Sequence, residues 1–459
     1  MNAVELFAGA GGLAMGVRLA GFSSAALVEW NKPACNTIRL NQARGFPLVA
    51  DSPAPFEGDV RAFDWASLGT DIDLLAGGPP CQPFSMGGKH RAHDDVRDMF
   101  PSTVKIIKTL RPKAFILENV KGLTRASFAN YFQYILLQLE FPEVTARGNE
   151  AWDAHYDRLQ REKTSDALHA SGLTYNVLPT LVNAADYGIP QKRERVFFVG
   201  FRTDLGVEWS FPTPTHSEDA LFHAQWISGD YWERHEVPLK LRPTPSSMQS
   251  ARIERVRSQL FPPGAKRWRT VRDALTGLPD VQSIAAAQSA DHTYQSGAKV
   301  YPGHTGSPLD LPAKTIKAGD HGVPGGENMM VLPGGSVRYF SVRETARLQT
   351  FPDGYVFNTS WTESMRQLGN AVPVMLARTV AASVATQLLH AEARMMPQAS
   401  VTRARLKVAA TMTPVRAATK MSVQDGPCCI RAGRGVPNAK SGKRRHKTSV
   451  ATLKNCCGP

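Results

Sequence analysis

Cysteine is scarce, at six in 459 residues, which excludes a small disulfide-stapled secreted scaffold. No uninterrupted apolar run reaches 18 residues, which argues against a transmembrane helix. The start, Met1-Asn2-Ala3-Val4-Glu5, has no basic stretch ahead of an apolar one, so no signal-peptide pattern stands there and a cytoplasmic protein is the default expectation. Aromatic residues are missing altogether from 392–459. That stretch carries 14 Lys/Arg against 2 Asp/Glu, so +12 of the net +14 sits there and the first 391 residues hold only +2. A basic segment without aromatics buries too little surface to offset its ordering entropy, so 392–459 reads as a basic disordered tail. Its Lys440-Ser441-Gly442-Lys443-Arg444-Arg445-His446-Lys447 is a polycation suited to nucleic acid. The doublets Cys428-Cys429 and Cys456-Cys457 lack the Cys-x2–4-Cys spacing of structural zinc sites, and no metal is expected.

With 42% hydrophobic and 20% charged residues, the rest has the balance of a folded globular chain, and its length suits two or three domains. The opening reads as strand, glycine turn and helix: Val4-Glu5-Leu6-Phe7, then Ala8-Gly9-Ala10-Gly11-Gly12, then Leu13 to Ala20. The G-x-G-x-x-G spacing of dinucleotide-binding turns is absent. A second strand, Ser23–Val28, ends at Glu29-Trp30, where an acid suits ribose hydroxyls and an indole suits a flat base. Further polar strand ends follow at Gly58-Asp59-Val60, at Ile72–Ala76 running into Gly77-Gly78-Pro79-Pro80-Cys81, and at Lys113–Leu117 running into Glu118-Asn119-Val120. Apolar strands separated by helical segments, each ending in polar residues, describe an α/β, Rossmann-like doubly wound sheet with its ligand at the carboxyl edge.

Cys81 follows a stiff Gly-Gly-Pro-Pro turn at that edge. A lone cysteine is more often inert than catalytic, but this setting would expose and activate a thiolate. Glu118 ends the neighbouring strand, and a nucleophile beside a carboxyl acid suits attack on an electrophilic ring with help from a proton donor.

With these residues in place the chain resembles the bacterial DNA (cytosine-5)-methyltransferases. The matching segments are Glu5 to Leu13, Gly78-Pro79-Pro80-Cys81-Gln82-Pro83-Phe84-Ser85, Glu118-Asn119-Val120, Gln191-Lys192-Arg193-Glu194-Arg195, Arg343 to Gln349, and Gln367-Leu368-Gly369-Asn370-Ala371-Val372-Pro373. They stand in the family's order over residues 5–373. The resemblance implies a sheet of the S-adenosylmethionine-dependent methyltransferase type and a covalent mechanism. Thiolate addition at carbon 6 of cytosine turns carbon 5 into the nucleophile that takes the methyl group. Cys81 is the residue for that step, and Glu118 must hold or share a proton with N3. Arg195, with Arg193 beside it, would steady the cytosine O2. The cofactor residues implied are Phe7, Gly9, Gly11 and Leu13 at the methionine part, Glu29 at the ribose, Trp30, Asp59 and Val60 at adenine, and Pro80, Asn370 and Val372 closing the pocket.

Cytosine carbon 6 is shielded inside duplex DNA, so the base must be flipped out. Residues 85–95, with Gly87, Gly88, Lys89 and Arg91, fit a mobile loop that would close on DNA, and Gln82 and Ser85 flank the nucleophile there. The α/β rhythm breaks at 206–335, where prolines punctuate the chain. Residues 240–272 carry nine Lys/Arg and one acid, with Arg267, Arg269 and Arg272 around Trp268. This reads as a target-recognition domain, mostly small strands and irregular chain, making phosphate contacts. The expected division is 1–205 and 336–391 for the catalytic and cofactor domain, 206–335 for recognition and 392–459 for the tail. A polar helix inserted at about 142–172 departs from compact family members. The reading is an enzyme acting as a monomer on double-stranded DNA and paired in the cell with a restriction endonuclease. Its rivals are an RNA methyltransferase of the same fold, a non-catalytic DNA-binding protein and a nicotinamide-dependent oxidoreductase.

Overall fold

Strands of short, nearly continuous apolar runs can be buried on both faces only in a parallel sheet covered by helices on each side. The computed structural model describes residues 1–80, 98–148, 150–164, 172–258, 263–302, 305–319 and 328–395, and it shows such a sheet. Its strands are β1 (Asn2–Leu6), β2 (Ser23–Glu29), β3 (Phe56–Glu57), β4 (Leu74–Gly77), β5 (Ala114–Val120), β6 (Tyr175–Asn183) and β7 (Glu194–Arg202), in the order β3-β2-β1-β4-β5-β7-β6. The first five in that order run parallel, while β7 is antiparallel to both β5 and β6. The doubly wound expectation holds. The order reverses between β1 and β4, which opens a crevice at their carboxyl ends.

Helices α1 (Gly12–Leu19), α2 (Lys32–Ala43), α3 (Phe100–Leu110), α4 (Ala129–Glu140) and α5 (Trp152–Lys163) belong to this half. One face of the sheet packs Phe115, Leu117 and Phe198 with Phe100, Ile107 and Ile135. The other packs Leu74, Ile116, Phe197 and Val199 with Leu376, Val380, Val384 and Leu388 of the Val374–Met395 helix. The stretch Trp361–Met395, which ends in that helix, is long and apolar enough to cross a membrane by length and composition, but the helix's apolar residues are spent on the sheet and on α1. The fit with α1 is tight. A Cβ on Gly16 would lie 2.4 Å from the Ala377 Cβ. The helix also runs on to Met395, past the expected boundary at 391, with Glu392 paired to Lys113 at 2.9 Å and Arg394 donating to the Leu205 carbonyl at 3.3 Å. The tail from 396 onward lies outside the described residues.

The expected inserted helix is α5. It seats on α4 through His155, whose Nδ1 lies 2.8 Å from the Tyr134 hydroxyl and whose Nε2 lies 2.8 Å from the Val144 carbonyl. Burial lowers the His155 pKa and so favours the neutral ring.

The catalytic layer extends beyond the expected residue 205. Val207 is in the sheet's core, Trp209 and Phe211 pack against it, and the Trp209 indole donates to Ser383 Oγ at 2.8 Å. Beyond it the strands are as small as expected: His216–Ser217 with Lys266–Arg267, and Ser307–Pro308 with Met329–Val331 and Val337–Tyr339. Most of the regular structure there is nevertheless helical, in Glu218–Trp226, Asp230–Arg234, Ser247–Arg257 and Val271–Leu275. The first of these buries Ala220, Leu221, Phe222, Ala224 and Gln225, which wrap the helix rather than forming one stripe, so no 3.6-residue period marks it in the sequence.

Candidate active site

The β1–α1 turn is built from backbone that side chains resist. Phe7, Gly9 and Gly11 all have left-handed φ, at 55°, 54° and 81°. At the two glycines this is free of strain; at Phe7 it is not. A Cβ added at Gly9 would meet nothing within 4 Å, so the turn is open at the carboxyl edge. Glu29, at the end of β2, accepts from the Gly9 amide on Oε2 and from the Asn31 amide on Oε1, each at 2.7 Å. Its burial raises its pKa against those amides. A carboxylate has about four lone-pair sites, so these two amides leave capacity for a ligand's hydroxyl. Trp30 beside it is 76% exposed. Leu13 and Val60 are buried, and the Trp65 indole donates to the Val60 carbonyl at 2.7 Å. Asp59 is engaged by Arg61, whose Nε donates at 2.9 Å and whose hydrogen bonds hold the carboxyl below its ordinary range. Val372 is buried, and its carbonyl oxygen would lie 2.6 Å from a Cβ on Gly12, so only glycine lets this return segment lie on α1. Asn370 just before it is exposed.

The acid corner follows from the sheet register. Val120 faces Arg195 across β5 and β7, and Glu118, two residues back, points to the same side. Arg195 Nε lies 2.9 Å from Glu118 Oε1, both side chains mostly buried. The N–H is not directed along that line, and Oε1 has no aligned hydrogen bond. Burial lowers the Arg195 pKa while Glu118 opposes the shift. A Cβ on Gly78 would lie 3.6 Å from Glu118 Oε2, which puts the carboxyl over the turn that leads to the cysteine. Asn119 secures this turn: its Nδ2 donates to the Pro79 carbonyl at 3.0 Å. The half-buried Pro80 accepts from the Met99 amide at 3.2 Å. Cys81, Gln82, Ser85, Lys89 and Arg91, and with them the expected loop, lie outside the described residues.

Arg193 departs from its expected place beside the target base. It is 1% exposed, its guanidinium donates to the Ile316 carbonyl at 3.3 Å and the Gly369 carbonyl at 2.9 Å, and its Nε has no partner. The chain before β7 turns it inward. Among the recognition arginines, Arg267 grips Asp273 with two nitrogens at 2.7 and 2.8 Å, and Arg272 grips Asp310 at 2.6 and 3.1 Å. Both charges are neutralised within the fold. Arg269 is exposed and has no ion pair among the described residues. Sequence reasoning gave no roles to Asn119, Gln191 or Gln349, although all three stand inside the segments it singled out. Side-chain amides that bridge backbone segments have no periodicity to show where they point.

The family model for C-5 cytosine-specific DNA methylases matches residues 1–142 and 154–386. The chain belongs to this family. It is a DNA (cytosine-5-)-methyltransferase, and its relatives are type II methyltransferases of restriction-modification systems. M.PspPI of Psychrobacter sp. (strain TA137) is 31% identical over 386 residues, covering 84% of this chain and 79% of the relative. M.NgoMIV of Neisseria gonorrhoeae is 30% identical over 394 residues, covering 83% and 95%. An E. coli prophage-encoded protein solved as a DNA modification methyltransferase shares the fold, with a TM-score of 0.51 and 20% identity over 84% of this chain and 99% of its own. Within the matched span the match breaks at 143–153, inside the expected 142–172.

Proposed function

We propose that this methyltransferase works through a covalent adduct between Cys81 and a cytosine flipped from a specific duplex site. The observation that carries the reading is the Glu118–Arg195 pair standing over Gly78, three residues before Cys81. The Cys81 thiolate adds to carbon 6, Glu118 shares a proton with N3 to take up the electron pair, and Arg195 steadies O2. Carbon 5 thereby becomes nucleophilic. After methylation a base removes the carbon-5 proton, the ring double bond re-forms and Cys81 leaves.

S-adenosylmethionine, when bound, supplies an electrophilic methyl group. The residues present fit it: the open backbone at Gly9, the spare lone-pair capacity of Glu29 and the exposed Trp30 suit its amino-acid, ribose and adenine parts. Phe7, Leu13, Asp59, Val60, Pro80, Asn370 and Val372 would complete the pocket, with Asp59 shared between the adenine amino group and Arg61. Gln82, Ser85, Lys89 and Arg91 would meet the DNA beside the nucleophile, and the free Arg269 would meet it from the recognition region. With Arg267 and Arg272 committed to carboxylates, their part is to shape that surface. The recognition region would run from about 212 to 335. The enzyme would act as a monomer in the cytoplasm, protecting DNA from a partner endonuclease. The test is incubation with S-adenosylmethionine and unmethylated DNA carrying 5-fluorocytosine, whose fluorine cannot be removed as a proton. A covalent complex in the wild type and none in Cys81→Ser is expected; wild-type enzyme that methylates cytosine without forming an adduct would refute the mechanism.

A further inference from the structure

Behind the acid corner, four stretches of backbone cross. Gln191 is fully buried; its Oε1 accepts from the Ile316 amide at 3.0 Å and its Nε2 donates to Gln349 Oε1 at 3.1 Å. Gln349 Nε2 donates onward to the Leu368 carbonyl and, at 3.3 Å, to that of Ala371. Arg193 joins the same partners from the other side, through the carbonyls of Ile316 and Gly369. The crossing is as close as backbones allow: a Cβ on Gly369 would lie 2.3 Å from the Ala318 nitrogen. Asn328 clamps the 316–318 segment from its far side, accepting from the Lys317 amide at 3.0 Å and donating to its carbonyl at 2.9 Å.

A buried guanidinium held by carbonyls is a costly way to fill space, since an apolar residue of similar volume packs as well without the loss of hydration. Burial and the neighbouring Arg195 push the Arg193 pKa well down, against the opposing effect of Glu118. What the guanidinium does that a methionine cannot is bond two separate segments at once. One, 316–318, belongs to the recognition region. The other, Gly369–Asn370, enters the cofactor side. Arg193 itself stands two residues from Arg195.

We propose that Arg193 is a positioning residue that staples the recognition segment to the cofactor-side turn, so that duplex binding and cofactor binding are coupled through it. The inference rests on the catalytic reading above. Coupling is reciprocal and commonly amounts to 5–150-fold in affinity, so DNA should tighten cofactor binding by about tenfold. The test is equilibrium dialysis of the full chain with tritiated S-adenosylhomocysteine, the demethylated cofactor, with and without unmethylated genomic DNA, alongside thermal melting. The tenfold gain is expected in the wild type, absent in Arg193→Met and partly restored in Arg193→Lys. A merely structural role would lower the melting temperature and leave the gain intact, which would overturn the proposal. If Arg193→Met does not fold, Arg193→Lys decides: a reduced gain supports the staple and a full gain overturns it. A wild-type enzyme that methylates DNA but shows no gain also overturns it, leaving the catalytic reading untouched. A wild-type enzyme that transfers no methyl group to cytosine removes that reading instead.

Discussion

The sheet half and the recognition half are held together by different forces. In the first, Leu74, Leu75, Phe115, Ile116, Phe197 and Phe198 are fully enclosed between two layers of helices. In the second, the apolar clusters are small, one around Leu221, Tyr231, Trp232 and Trp268 and another around Val271, Ile316 and Phe340. Carboxylates do much of the remaining work: Asp273 joins Arg267 and His235, and Asp310 joins Arg272 and the Tyr231 hydroxyl. Apolar burial is non-directional and sums over many residues, whereas an ion pair depends on two particular side chains. The sheet should therefore tolerate conservative change, and the recognition half should fail at single charged positions.

Four substitutions would break or sharpen this comparison. Glu118→Gln strikes the chemistry: methyl transfer should fall about 10²–10⁴-fold, read by tritium transfer on protein whose circular dichroism matches the wild type. Asp273→Asn strikes the recognition half by leaving the partly buried Arg267 without its ion-pair partner, at about 1.5–3 kcal/mol in denaturant titrations. The same group should show in acid. Burial raises the Asp273 pKa, but Arg267 and the Thr270 amide outweigh that and hold it far below the usual range. The folded pKa being depressed, the stability it contributes is complete above about pH 4, the unfolded value, and declines as pH falls further. Asp273→Asn should flatten that decline, and an unchanged acid profile would count against the ion-pair account. Gly16→Ala strikes the sheet half by forcing a Cβ to within 2.4 Å of Ala377, an overpacking cost of about 1–3 kcal/mol, seen as a lower melting temperature. The smallest effect belongs to Arg269→Ala, which should leave folding unchanged and reduce the slope of log affinity against log salt by about one. A slope unchanged to within error would take Arg269 off the DNA.

The same contrast explains what could be read in advance. Strand ends at Glu29 and Glu118 were legible because each closes a short apolar run, whereas Asp59 follows only the two-residue strand Phe56–Glu57. The expectation for Arg267 and Arg272 counted positive charge and had no view of Asp273 or Asp310, which neutralise it. Arg193 and Arg195 look equivalent along the chain, two residues apart in one motif, yet one is enclosed by carbonyls and the other faces Glu118.

By itself the sequence determined the doubly wound sheet and the family, because short apolar runs and motif order are properties of the chain read in one dimension. Only the tertiary structure decided which arginine meets the acid, which are spent on ion pairs, and how the segments at 191, 316, 349 and 369 lock into one crossing. Those outcomes depend on contacts between residues up to 176 positions apart in numbering, and the strength of a charge or an amide is set by the partner that folding brings to it.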